Sequence, residues 1–245
     1  KHLKNALCKA HGNIYLKQTW GQTALIAMEQ DGKKCEYRET KQINLDLIFP
    51  SRRFIIMQVV SIKGSPRKKG NSSALADVFT AKAREKGATV LDWNLNELDF
   101  RGCQACMYCK TKQEDCAVQD DLTQVLDAVK NADIVVLATP VYFGDISSQA
   151  KTFVDRTFSF LIPDFITAQN PGRLQPGKKF LFIQCQGFPD ENVFNDIYPK
   201  YSNFFKWHGF EETELLRACG FNEPGAAVED PETSKQLEEL AARML

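Results

Sequence analysis

The sequence predicts an α/β protein: an open, doubly wound, five-stranded parallel sheet with a β-rich extension at its N-terminus. Three observations predict it. From Met57 onward, five apolar runs alternate with five amphipathic stretches, the rhythm of a sheet covered by helices on both faces. The runs are nearly continuous in apolar residues, as strands buried on both sides must be. Residues 1–56 keep no such rhythm, so the chain divides into an extension, 1–56, and a domain, 57–245, long enough to build its own core.

In the extension, Gln-Asp-Gly-Lys at 30–33 is a turn signal between apolar-rich stretches, which predicts two or three antiparallel strands in a hairpin-like arm. Basic residues outnumber acidic ones there by two to one, and the arm reads as a packing element. The first parallel strand is MQVVSIK, 57–63. A Gly- and Ser-rich turn follows, then a helix with Leu75, Val78, Phe79 and Ala83 on one face, ending at Gly87. ATVLDWNLN, 88–96, is the second strand. After a cysteine-rich loop, Leu122, Val125, Leu126 and Val129 form the stripe of the next helix. DIVVLATP, 133–140, is the third strand, and SSQAKTFVDRTFSFL its helix. KKFLFIQCQG, 178–187, pairs with the helix NVFNDIYPKYSNFFKWHG, and ETELLRACG, 212–220, with PETSKQLEELAARML. Right-handed winding of such units places ligands beyond the carboxyl ends of the strands.

The 245 residues are 43% hydrophobic, and 31 Lys and Arg balance 31 Asp and Glu. That balance provides no global field for nucleic acid or an anionic membrane surface. No apolar run reaches the roughly 18 residues of a membrane-spanning helix, and the first residues lack the pattern of a signal peptide. The expected location is therefore the cytoplasm, where thiols stay reduced and a dense cysteine cluster favours metal binding or redox chemistry over disulfides.

Two segments carry chemistry. GSPRKKGNSS, 64–73, joins a strand to a helix but lacks the Gly-Lys-Ser/Thr ending of a nucleotide P-loop and the G-x-G-x-x-G dinucleotide fingerprint. It offers backbone amides, the hydroxyls of Ser65, Ser72 and Ser73, the Asn71 amide and the Arg67 cation. Together with the positive end of a helix dipole, these favour a terminal phosphate. The other is GCQACMYCKTKQEDC, 102–116, which holds four of the eight cysteines. Cys103, Cys106 and Cys109 are spaced for a cubane iron-sulfur cluster, with Cys116 closing the cage from the same loop. Structural zinc sites usually use two separated pairs, so iron outranks zinc, and bare thiols are the third reading. Cys185 and Cys219 read as small core residues.

GSPRKKGNSS, ATPVYFGDIS at 138–147, and CQACMYCKTKQEDCAVQDDL together resemble the flavodoxin-like NAD(P)H-dependent FMN reductase superfamily, and within it the iron-sulfur flavoproteins. The resemblance covers most of 57–245 and implies a flavodoxin-like fold with strand order 2-1-3-4-5. It implies FMN as cofactor, with Ser65, Arg67, Asn71, Ser72 and Ser73 around the phosphate. Pro140, Val141, Tyr142, Phe143 and Gly144 would lie along the isoalloxazine. At the carboxyl end of the fourth strand, Gln184, Gln186 and Gly187 are placed to bound its pyrimidine side or the nicotinamide entrance. For Cys103, Cys106, Cys109 and Cys116 the resemblance implies a [4Fe-4S] cluster. The expected function is an FMN oxidoreductase taking electrons from NAD(P)H or a ferredoxin-like partner, assembled as a dimer or tetramer. No acid-base dyad is expected, since the chemistry is the flavin's. Two alternatives share the fold: a cluster-free NAD(P)H-dependent quinone, azo or flavin reductase, and a non-enzymatic redox carrier or sensor using the cysteine loop.

Overall fold

A computed structural model describes residues 3–9, 12–18, 24–29, 37–39 and 56–245. The chain divides into two compact units, Lys1–Ile55 and Ile56–Leu245. In the first, β1 (Leu3–Lys9), β2 (Gly12–Gln18), β3 (Ala24–Glu29) and β4 (Tyr37–Glu39) form an antiparallel sheet in that order. This is one strand more than expected, because the segment before Gly12 pairs along its whole length with β2. The turn expected at 30–33 lies outside the described residues.

The second unit runs β5 (Gln58–Lys63), α1 (Asn71–Glu85), β6 (Thr89–Asn94), α2 (Tyr108–Thr111) and α3 (Leu122–Asn131). It continues with β7 (Ile134–Tyr142), β8 (Asp145–Ile146), α4 (Ser148–Arg156), β9 (Lys178–Gln186), α5 (Ile197–His208), β10 (Phe210–Cys219), α6 (Ala226–Glu229) and α7 (Pro231–Met244). The sheet order is β10-β9-β7-β5-β6, all parallel, which is the flavodoxin-like order 2-1-3-4-5. The two-residue β8 adds an antiparallel partner to the end of β7.

Strand alternation sorts the core into two layers. Val60, Ile62, Val135, Leu137, Phe180 and Phe182 face α3, α4 and α5. Val59, Ile134, Val136, Leu181 and Ile183 face α1 and α7. Phe180 stacks on Phe205 at 3.7 Å between centroids, and each such buried aromatic contributes roughly 1.5–3 kcal/mol of transfer free energy.

Among the boundaries that differ from the sequence reading, three have a clear local reason. β7 extends two residues past Pro140 because β8 returns along it. α4 ends at Arg156, and Thr157–Phe160 tighten into a 3-10 turn. α5 begins at Ile197, five residues after Asn192, where the expected helix starts. The Gln186 carboxamide captures the carbonyls of Phe188, Asp190 and Val193, and Phe194 is left-handed at φ 65°, so this stretch cannot be helical.

Candidate functional site

At the carboxyl end of β5 the chain turns tightly into α1. Ser65 Oγ accepts from the Arg67 N–H at 3.2 Å, and the Gly70 N–H donates to the Arg67 carbonyl at 3.1 Å. A Cβ on Gly70 would lie 2.4 Å from Ser65 Oγ, so this close approach requires glycine. Gly70 caps the 15-residue α1 with no side-chain bond, which leaves the first-turn N–H groups open at the positive end of the helix dipole. Beneath them the Ser72 hydroxyl is buried without a partner. A buried orphan hydroxyl costs about 1–3 kcal/mol, and a phosphate seated on the helix terminus would satisfy it. The donor set therefore fits a phosphomonoester.

Other predicted members of this turn are placed differently. Ser73 is buried and does not line the cleft. The Asn71 carboxamide donates to the Phe221 and Glu223 carbonyls at 3.2 and 2.9 Å and accepts from the Ala227 N–H at 3.2 Å. Both amide donors are thus engaged by the loop after β10. Arg67 is exposed, and its Nη1 donates to the Asn222 carbonyl at 3.3 Å.

The second wall comes from β7, whose hairpin to β8 turns on Phe143 (φ 50°) and Gly144 (φ 86°). Two positive φ values are what a two-residue hairpin loop needs, and an aromatic residue there costs of order 1–2 kcal/mol. Phe143 is fully exposed at the tip. Asp145 anchors the hairpin: Oδ1 accepts from the Ile146 N–H at 2.7 Å and the Tyr201 hydroxyl at 2.9 Å, and Oδ2 from Lys200 Nζ at 2.8 Å. Partial burial alone would raise the carboxyl's pKa, but these bonds outweigh it and hold it below the ordinary value. Asp145→Ala should lower stability by about 2 kcal/mol, read from the urea midpoint at pH 7. Because the folded pKa is depressed, this contribution is present above the unfolded carboxylate range and is lost as pH falls through the folded pKa.

A cleft of about 260 Å³ joins these walls. It brings together Ser65, Arg67, Asn71 and Ser72 at one side, and Pro140, Val141, Tyr142, Gln186 and Gly187 at the other. Ser73, Phe143 and Gly144 stay outside its lining. Gly70, Cys185, Phe221 and Asn222 line it and were not anticipated. Phe221 and Asn222 follow the carboxyl end of the fifth parallel strand, so the rule that located the other loops was the signal for them as well. Burial pushes the Cys185 thiol's pKa well up, so the cleft presents a neutral thiol there.

The four loop cysteines line a second, much smaller cavity together with Arg156. Cys103 and Cys106 are exposed, Cys109 is buried and Cys116 is half-buried. Ala105 (φ 51°) and Met107 (φ 55°), both left-handed, bracket Cys106, a local strain of the kind that collects at functional loops. Three cations hold the loop. Arg156, itself buried, donates to Cys116 Sγ at 3.1 Å, Asp120 Oδ2 at 2.7 Å, and the Arg101 and Val118 carbonyls at 2.9 and 2.8 Å. Arg173 reaches the Cys109 and Glu114 carbonyls, and Lys110 donates to the Phe158 and Leu161 carbonyls. Among the described residues, no three Cys, His, Asp or Glu side chains stand close enough together to hold a metal ion.

Residues 57–189, more than half of the chain, match the family described as NADPH-dependent FMN reductase. An iron-sulfur flavoprotein of Archaeoglobus fulgidus is 35% identical over 104 residues, 42% of this chain and 47% of its own. The chain thus spans about half the length of the iron-sulfur flavoproteins it matches. An FMN-dependent NADH:quinone oxidoreductase of Alcanivorax borkumensis is 30% identical over 177 residues, 68% of this chain and 89% of its own. Among solved structures, an FMN-dependent NADH-azoreductase from Bacillus anthracis in complex with FMN shares the fold with a TM-score of 0.57. Its identity is 19%, over 77% of this chain and 99% of that one.

Proposed function

The chain belongs to the NADPH-dependent FMN reductase family, and from that premise we propose that the cleft binds FMN and that the protein is an oxidoreductase reduced by NAD(P)H. The observation that carries this is the orphan Ser72 hydroxyl under an uncapped helix terminus. Ser65, Ser72 and the backbone N–H groups of Asn71, Ser72 and Ser73 hold the phosphate, with Arg67 as the neighbouring cation. Pro140, Val141 and Tyr142 form the flat apolar wall, which ends at the Phe143–Gly144 tip, and Gln186 and Gly187 bound the far edge. Bound FMN supplies reversible hydride acceptance. The chain's residues bind, orient and shield it from water, and the lining holds no carboxylate or histidine. Quinones or azo compounds, named for the similar oxidoreductases, are the acceptor classes this reading favours.

The test is the visible spectrum of protein purified without air, before and after NADPH. Flavin bands that bleach on NADPH are the expected result. No flavin absorbance and no binding of added FMN would sink the proposal.

A second reading adds a [4Fe-4S] cluster in the Cys103–Cys116 loop and a ferredoxin-like partner. It is supported by the names of the iron-sulfur flavoproteins and by four thiols lining one cavity beside the Arg156 cation. The thiols as placed do not converge on a metal, so no electron-transfer step is assigned to them. Iron and sulfide analysis of the same sample decides between the two readings. A homo-oligomer in the cytoplasm completes the proposal. Among the described residues no helix is long and apolar enough to cross a membrane.

A further inference from the structure

The segment matching the family ends at residue 189, yet the cleft does not. Its third wall is the turn after β10, where Phe221 and Asn222 line the same space as Ser72 and Gly187. Asn222 is exposed, and among the described residues its carboxamide makes no hydrogen bond, although its own carbonyl is held by Arg67. Its Oδ1 lies where a Cβ on Gly187 would be 2.4 Å away, so the carboxamide sits against the bare backbone of Gly187. The turn itself is pinned by Asn71, whose carboxamide bonds the backbone at Phe221, Glu223 and Ala227.

We propose that Asn222 is a ligand-reading residue of the cleft and that Asn71 is its positioning residue. The donor and acceptor of Asn222 meet the polar, non-phosphate part of the cofactor, on the Gly187 side. Asn71 acts through the turn rather than on the phosphate. This rests on the FMN reading of the cleft.

The experiment titrates FMN and riboflavin into the full chain by flavin fluorescence, with urea midpoints measured in parallel. Asn222→Ala should weaken FMN and riboflavin equally, by roughly fivefold to tenfold, the loss expected for one hydrogen bond. Its urea midpoint should stay unchanged, since the side chain holds nothing in the fold. Ser72→Ala, the control for the phosphate reading, should weaken FMN and leave riboflavin unaffected. Asn71→Ala should weaken both flavins, and in the Asn222→Ala background should add no further loss, the mark of two residues acting as one unit. If Asn71→Ala fails to fold, Asn222→Ala with its two ligands still decides. Wild-type affinity for both flavins in Asn222→Ala, or a loss confined to FMN, overturns the inference while leaving the FMN reading standing if Ser72→Ala behaves as stated. An additive loss in the double variant overturns the Asn71 role, and failure of the unmodified protein to bind FMN overturns both readings.

Discussion

Replacing Ser72 by aspartate is expected to weaken FMN by at least about 100-fold while changing riboflavin affinity by less than about threefold. The hydroxyl it replaces is buried, unpartnered and set under the open N–H groups of α1. A carboxylate in that place brings two like charges to about 4 Å, a repulsion on the order of 4 kcal/mol at an effective dielectric constant near 20. About 2.7 kcal/mol already corresponds to 100-fold. The helix dipole offsets part of the cost of burying a carboxylate at this position, so the urea midpoint of the variant is measured alongside and riboflavin binding reports that the cleft is intact. A fluorescence titration of both flavins checks it. Equal losses for FMN and riboflavin would place the phosphate elsewhere.

Arg156→Met should cost about 3–5 kcal/mol in urea unfolding at pH 7, the range for breaking a buried ion pair from one side. The variant strands the Asp120 carboxylate and leaves the Arg101 and Val118 carbonyls without their donor. Burial would raise the Asp120 pKa, yet the bonds from Arg156 and the Arg101 N–H prevail and lower it. A depressed folded pKa contributes stability above the unfolded value of about 3.9 and loses it as pH falls through the folded pKa. The gap between wild type and variant should therefore be widest above about pH 5 and narrow towards acid. A gap that does not change with pH would show that packing, not the ion pair, dominates.

The strands were legible because a parallel sheet buried on both faces leaves long apolar runs, and IVVLA and FLFI can hardly be anything else. The two ends of the cleft were legible from strand-to-loop position. What stayed hidden depends on contacts distant in sequence. The Asn71 carboxamide looks like a phosphate donor until the loop some 150 residues later takes both of its N–H groups. Arg156 and Arg173 join the cysteine loop only through the folded chain, so spacing within 102–116 could not reveal them. The Phe143 turn was missed because β8 is only two residues long, and α5 begins late because Gln186 competes for the carbonyls ahead of it.

The two margins of the parallel sheet carry a further consequence. On β6, Asp92 is bonded by Arg84 at 2.5 Å and paired with Lys63 at 3.4 Å, while β10 on the other margin carries Glu211, Glu212, Glu214 and Arg217. Charge on an outer strand discourages another chain from docking its backbone there, the usual route from a sheet protein to fibrillar aggregates. Within the parallel sheet, the charges on these two margins therefore guard against edge-to-edge polymerisation whether or not the cleft is filled.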